Sequence, residues 1–515
     1  MRTGIDRYES IFVESDFSVG SPKLGFAGGF QAYPSSQYAD GSYGNFYSVG
    51  LVPQWRPSDR TRVRALAGAS RWRYSGDEGY VAGGTILPPV IGQLRRLGVP
   101  NGKFEQRIAN YGVMLDQDLG FAELKAGGFY SRRQTPFADF TIVSGLDAEG
   151  RGRATLFTSP DLDTKTWSGE ASLTKRFRTG DWQHRVLAKV RLRSTDAVNP
   201  LGRAIDLGRV AIGDKPLLPI LIDRSPTGVE TRNEIDQRAF GLSYRLARGN
   251  NLELRVGVQR MRYQKRVTRT GEVGNETLDN DWLYNGSIVW QPTKGVTAFA
   301  SYTRGLEESG TAPASATNRN EVLPAVLARQ AELGVRVEFT PTVSLGVSGF
   351  TISKPTPAFD ASGAFRLLGN ARYDGIEGSL NARFDNGLAL VLGAVAIDLD
   401  RRSGPDAPIF APAGLAAIQG LIGATYTPTF AKEFSFDTQI NLQGPRWVDA
   451  GNTLRTSGFA TVNLGARYQL GNGGPNIRVQ VVNATNTRQW SALPSQLLGF
   501  VVPRTFRLVV SQTLG

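Results

Sequence analysis

Two short stretches bring aromatic rings and guanidinium groups together: Trp72, Arg73, Tyr74 and Tyr80 in one, and Arg132, Arg133, Phe137 and Phe140 in the other. Aromatic faces stack on flat ligands and arginine forks meet negative charge, so this mixture suits capture of a planar anion. The same residue types also serve as an interfacial girdle or as loop packing, and composition leaves both readings open. Covalent and acid–base chemistry has little to work with. Cysteine is absent, and the one histidine, His184, stands between Trp182 and Arg185 at the start of an alternating segment, where a structural role is expected. With no Ser-His or Asp-His constellation, the chain reads as a non-enzyme with neither metal centre nor cofactor.

The elements that must carry these residues are strands. Leu252, Leu254, Val256 and Val258 alternate with Glu253, Arg255, Gly257 and Gln259; Val186, Ala188, Val190 and Leu192 alternate with Arg185, Leu187, Lys189 and Arg191. The same period of two returns at residues 331–339 and 461–470 and gives each segment one apolar and one polar face. About twenty such strands exceed an ordinary sandwich, whereas a closed barrel with lipid outside and a wet lumen inside satisfies every backbone group. The sixty glycines and 10% aromatics fit that reading, and no apolar run reaches the length of a membrane helix. Trp55, Trp282, Trp290 and Tyr426 suit interfacial girdles. A net charge of +13 raises the question of nucleic acid, but the basic residues are spread singly along alternating segments, which argues against that partner.

Loop lengths give orientation. Short turns near 19–22, 57–60, 178–181 and 471–475 alternate with long connections near 76–104, 133–163, 196–234 and 489–503. The expectation is an all-β, transmembrane antiparallel barrel over residues 1–515, with about 21 strands of a 22-strand wall. The first and last visible strands would then run the same way, so one N-terminal strand is expected to be lacking.

Several segments carry a resemblance. Residues 300–313, Ala-Ser-Tyr-Thr-Arg-Gly-Leu-Glu-Glu-Ser-Gly-Thr-Ala-Pro, with Asn318, are similar to the "SYxxGLExG…AP" strand and loop of TonB-dependent receptors of the ferric-siderophore subclass. Gln330, Glu332 and Gly334 resemble that family's "Q-x-E-x-G" strand, and Asn370, Tyr373, Gly375 and Glu377 resemble its "N-x-x-Y-x-G-x-E" strand. Asn483, Thr485, Asn486 and Trp490 resemble "NxTN…YW". The order and spacing of these segments across 280–515 are specific. Two departures stand out: nothing resembles the family's N-terminal plug with its TonB-contacting box, and Leu514 takes the place of the usual terminal aromatic. Residues 8–33 look like the family's second strand, turn and third strand.

The resemblance implies an outer-membrane receptor for TonB-dependent uptake of a ferric siderophore or similar scarce ligand. Its partners would be that ligand, outer-membrane lipid and, through the plug region, the TonB complex. A plugless, porin-like passive channel is the alternative. Lumen arginines Arg62, Arg64, Arg185, Arg191, Arg193, Arg255 and Arg467 would favour anions, although pairing with carboxylates such as Glu253 is the plainer expectation for most of them. The run at 216–222 is either a lid or a small loop core.

Overall fold

Alternating segments become strands because each can turn one side to lipid and the other to water, and closure then leaves no unpaired edge. The computed structural model describes residues 1–6, 10–36, 42–90, 98–213, 219–402, 404, 408–471 and 473–513. Among these described residues, twenty-two antiparallel strands form one closed wall that begins at Arg2–Asp6 and ends at Thr505–Ser511. Closure corrects the expectation of about 21 strands with one N-terminal strand lacking. Arg2–Asp6 pairs antiparallel with the second strand, Arg2 facing Glu14, and antiparallel with the last, Arg2 facing Ser511. The even count is therefore complete within the chain, and the inference of a lacking first strand fails. That strand was hard to read because five residues, Arg-Thr-Gly-Ile-Asp, contain one large apolar side chain, Ile5. Ile11–Gly20 and Leu24–Ser35 are the second and third strands as expected; Tyr8, like Leu514, lies outside the described residues.

Register fixes the two faces. Leu254, Val256 and Val258 sit beside Ile288, Gly286 and Tyr284 on the apolar face, while Arg255 lies on the other face beside Arg245 and next to Glu253. Trp55, Trp282 and Trp290 are all more than half exposed on the apolar face, as a girdle requires. His184 belongs to the same girdle: it stacks on Phe177 at 4.5 Å, and its Nδ1 lies 2.7 Å from the Tyr244 hydroxyl.

Long connections differ from the expectation in kind. Residues 133–163 are mostly strand, since Glu123–Leu146 and Arg151–Thr179 continue far past the girdle and join through a turn at 147–150. Asp77–Ala82 adds to this extension in parallel, Ala204–Ala211 adds antiparallel, and Leu498–Phe500 joins at Tyr80 and pairs in turn with Trp490–Ala492. The result is a sheet standing above the wall. Its apolar core contains Tyr80, Val143, Leu146, Ala154, Trp490 and Leu498, all buried, and the Trp490 indole donates to the Pro88 carbonyl at 2.9 Å. Loops at this height bury apolar surface against each other because no lipid reaches them.

Candidate functional site

Side chains that share strand parity with the inner-face pair Arg62 and Arg64 must line the lumen. Carrying that parity along Thr61–Tyr74 places Trp72 and Tyr74 inside and Arg73 outside. Trp72 packs on Tyr74 at 4.8 Å and on Phe104 at 5.9 Å, and Tyr74 stacks on Phe104 at 4.6 Å. Phe46 is the register partner of Trp72, Tyr33 meets Phe46 at 6.0 Å, and Phe12 stacks on Tyr33 at 5.2 Å. Six rings thus run across five strands on the inner face, close to the long-loop end. Glu14 accepts the Tyr33 hydroxyl at 2.5 Å and pairs with Arg2, so charge borders the rings from below. Trp72 keeps 46% of its surface exposed and Tyr74 only 8%, which makes Trp72 the ring available to a ligand face.

The other candidates separate. Arg133 is exposed on the inner face, two strands from Trp72 and opposite Ile108. Arg132 points outward, where Asp163 binds it through two hydrogen bonds of 2.9 and 3.0 Å. Phe137 lies 5.8 Å beneath the Arg224 guanidinium, which in turn binds Asp139 at 2.6 Å. Asp139 is almost wholly buried and also accepts the Lys103 amide, and Arg224 donates to the Asn101 carbonyl, so Phe137 belongs to a clamp between loops. Phe140 packs under Gly79 in the upper sheet. Tyr80 is buried there between Trp490 and Phe500, with its hydroxyl on Glu78. In the run at 216–222, residues 216–218 lie outside the described residues; Ile220 and Ile222 pack with Val99 and Leu156 in a core shared between loops.

Phe12, Tyr33, Phe46 and Phe104 were missed by sequence reasoning. Each shares parity with a charged inner residue on its own strand or a neighbouring one, and that signal was available once register was known.

The opposite wall is chemically different. Ser348, Glu377, Ser379, Gln419, Asn441 and Gln443 line a recess of about 590 Å³. Gln439 donates to Asn441 at 2.8 Å, and Ser348 to Glu377 at 3.2 Å. Two motif glycines leave room for inward rings: a Cβ on Gly334 would meet the Phe299 ring at 2.4 Å, and one on Gly375 would meet Phe350 at 2.4 Å. Motif asparagines are structural. Asn318 exchanges hydrogen bonds with the Phe365 backbone in both directions, and buried Asn483 ties Thr487 to Val502.

Most of the named lumen arginines have partners. Arg62 and Arg64 share Asp116, Arg191 reaches Glu170, Arg193 reaches Glu308 and Arg255 reaches Glu253. Arg185 and Arg467 have no carboxylate partner among the described residues.

The family model "TonB dependent receptor-like, beta-barrel" matches residues 54–486. The ferric preacinetobactin receptor BauA of Acinetobacter baumannii superposes with a TM-score of 0.87 at 19% identity, over 99% of this chain and 78% of that one. The siderophore receptor PiuA of the same organism superposes with a TM-score of 0.85 at 14% identity, over 99% and 80%. The ferric-catecholate import receptor Fiu of E. coli gives 0.84 at 14%, over 99% and 81%. No protein in the search of curated sequences matches. The likeness at these identities is one of fold. With the family model covering most of the wall, the chain belongs to the TonB dependent receptor-like β-barrel family, whose barrels lie in the bacterial outer membrane.

Proposed function

We propose that this barrel serves TonB-dependent uptake of a ferric siderophore or a similar planar, anionic iron complex, taken up at the extracellular end of the lumen. The observation that carries the reading is the inner-face run Phe12, Tyr33, Phe46, Trp72, Tyr74 and Phe104, with Trp72 open and Arg133 exposed two strands away. Flat aromatic or catecholate groups of a ligand would lie on Trp72, and Arg133 would meet negative charge. Relatives named for ferric preacinetobactin and for ferric catecholates share the fold and support the substrate class. Iron enters as cargo already held by its chelator.

The test is calorimetric titration of the purified barrel with a ferric catecholate complex. Trp72→Ala should weaken binding by about tenfold, as expected for one stacked ring and its buried area. Arg133→Gln should weaken it less, and Arg132→Gln, outward and already neutralised, should leave it unchanged. Equal affinity in the wild-type and Trp72→Ala proteins would remove the proposed capture site. Large ohmic conductance in bilayers with no ferric complex bound would favour a passive channel.

A further inference from the structure

Four lumen arginines stand level on four consecutive strands. Arg176 in Arg151–Thr179 is the register partner of Arg185 in Trp182–Pro200, Arg185 of Arg245 in Glu230–Arg248, and Arg245 of Arg255 in Leu252–Arg269. Neighbouring strands lie about 4.8 Å apart, so the row spans roughly 14 Å. All four stand within a few residues of short turns, near the periplasmic mouth and at the far end of the lumen from the aromatic run.

Like charges directly opposite one another on a sheet repel, so such a row needs counter-charge. Available carboxylates fall short. Glu253 serves both Arg245 and Arg255; Glu123 serves Arg176 at 2.9 Å and Lys125 at 3.0 Å; Asp116, on the neighbouring strand, is occupied by Arg62 and Arg64. Each of these three carboxylates is shared by two cations, and Arg185, in the middle of the row, has none among the described residues. A recess of about 720 Å³ opens over the row, lined by all four arginines together with Gln183 and Asn285.

We infer that this row is a binding station for a small multivalent oxyanion, one carrying two or more carboxylate or phosphate groups. Guanidinium forks grip such groups through paired, charge-assisted hydrogen bonds, and Arg185 offers its fork without first breaking an internal pair. Gln183 and Asn285 amides can complete the shell. Summed positive potential over the recess draws anions from the lumen, more strongly at low salt. An anionic iron complex leaving the aromatic run would meet this row next; that link alone rests on the proposed uptake function, whereas anion binding by the row does not.

The test uses the whole chain in lipid nanodiscs with two probes, pyrophosphate and citrate, in chloride buffer of fixed ionic strength. Both should bind, compete with each other, and weaken as salt rises. Arg185→Gln should weaken both by about tenfold. Because this substitution removes the uncompensated charge, the wall should stay folded, which retained β-sheet circular dichroism would verify. Arg185→Lys should recover only part of the affinity, since it restores charge without the fork. Binding of pyrophosphate alone would assign the row to phosphates, and of citrate alone to carboxylates. Binding of neither probe, or identical binding by wild-type and Arg185→Gln proteins, overturns the inference. Ferric-complex titration of the same variants separates the two ideas: capture unaffected with anion binding lost confirms a second station, and anion binding without any capture removes the uptake reading alone.

Discussion

The two sides of the lumen are built by the same alternation and filled with opposite chemistry. Residues 12–104 line their side with stacked rings beside charge, whereas residues 344–463 line theirs mainly with small polar and amide side chains, Gln439 donating to Asn441 among them. The covers above them differ as well. Over the aromatic side, Arg224 and buried Asp139 hold loops together through an ion pair; over the amide side, Asp449 caps a turn through the amides of Gly451, Thr453 and Leu454. Period-two patterning therefore sets where the wall is and leaves the inner surface free to specialise strand by strand.

The largest expected effect tests the clamped cover. Asp139→Ala strands Arg224 without its carboxylate, which for a buried pair costs about 3 kcal/mol. Hydrogen exchange should accelerate across Asp77–Ala82 and Ala204–Ala211 while Leu252–Arg269 stays protected. Unchanged exchange in those upper strands would show that the apolar core around Trp490 suffices without the clamp.

A smaller effect separates the walls themselves. Replacing Tyr33 and Phe46 together by alanine should weaken ferric-catecholate binding by about tenfold, because each lost ring contact is worth roughly 0.5–1.5 kcal/mol. Replacing Gln439 and Asn441 together should change it by less than about threefold, since water substitutes for exposed amides. A reversed ranking would move the capture site to the amide side.

The smallest effect depends on pH. Burial pushes the Asp449 carboxyl up, but the Thr453 and Leu454 amides and the Thr453 hydroxyl outweigh it, and the net shift is downward. A carboxyl lowered in the folded state contributes stability above its unfolded value, near 3.9 for aspartate, and loses it as pH falls through the lowered folded value. Proteolysis at residues 444–456 should therefore speed up on acidification below about pH 4, and Asp449→Asn should flatten that dependence.

Much of the wall was legible because alternation over ten or more residues cannot be produced by a helix; strands such as Leu252–Arg269 and Val326–Thr340 needed nothing further. Arg2–Asp6 escaped because five residues hold too few apolar positions to show a period. At the candidate site, ring and guanidinium types drew attention to Thr61–Tyr74, but chain proximity does not survive register: Trp72 and Arg73 are neighbours in sequence and face opposite sides of the wall. Tyr80 and Phe137 look like ligand contacts in composition; the structure sets Tyr80 in the buried core with Trp490 and Phe137 against the Arg224 guanidinium, placements that depend on which loops meet above the membrane. The arginine row was invisible for a related reason, since level placement of Arg176, Arg185, Arg245 and Arg255 is a property of register across three strand junctions.

The bond from Trp490 to Pro88 spans 402 residues of chain, and the Met1 amine meets the Gln512 carbonyl across 511. Contacts of such separation form late, because the chain between them must be gathered before they return any energy. The short seam of Arg2–Asp6 is thus the natural last joint of the cylinder, and the upper sheet, which reaches from residues 490–500 across the seam to 77–82, buttons it from above. Opening requires both fastenings to release together, so this barrel should resist unfolding far longer in time than five paired residues at its seam would suggest.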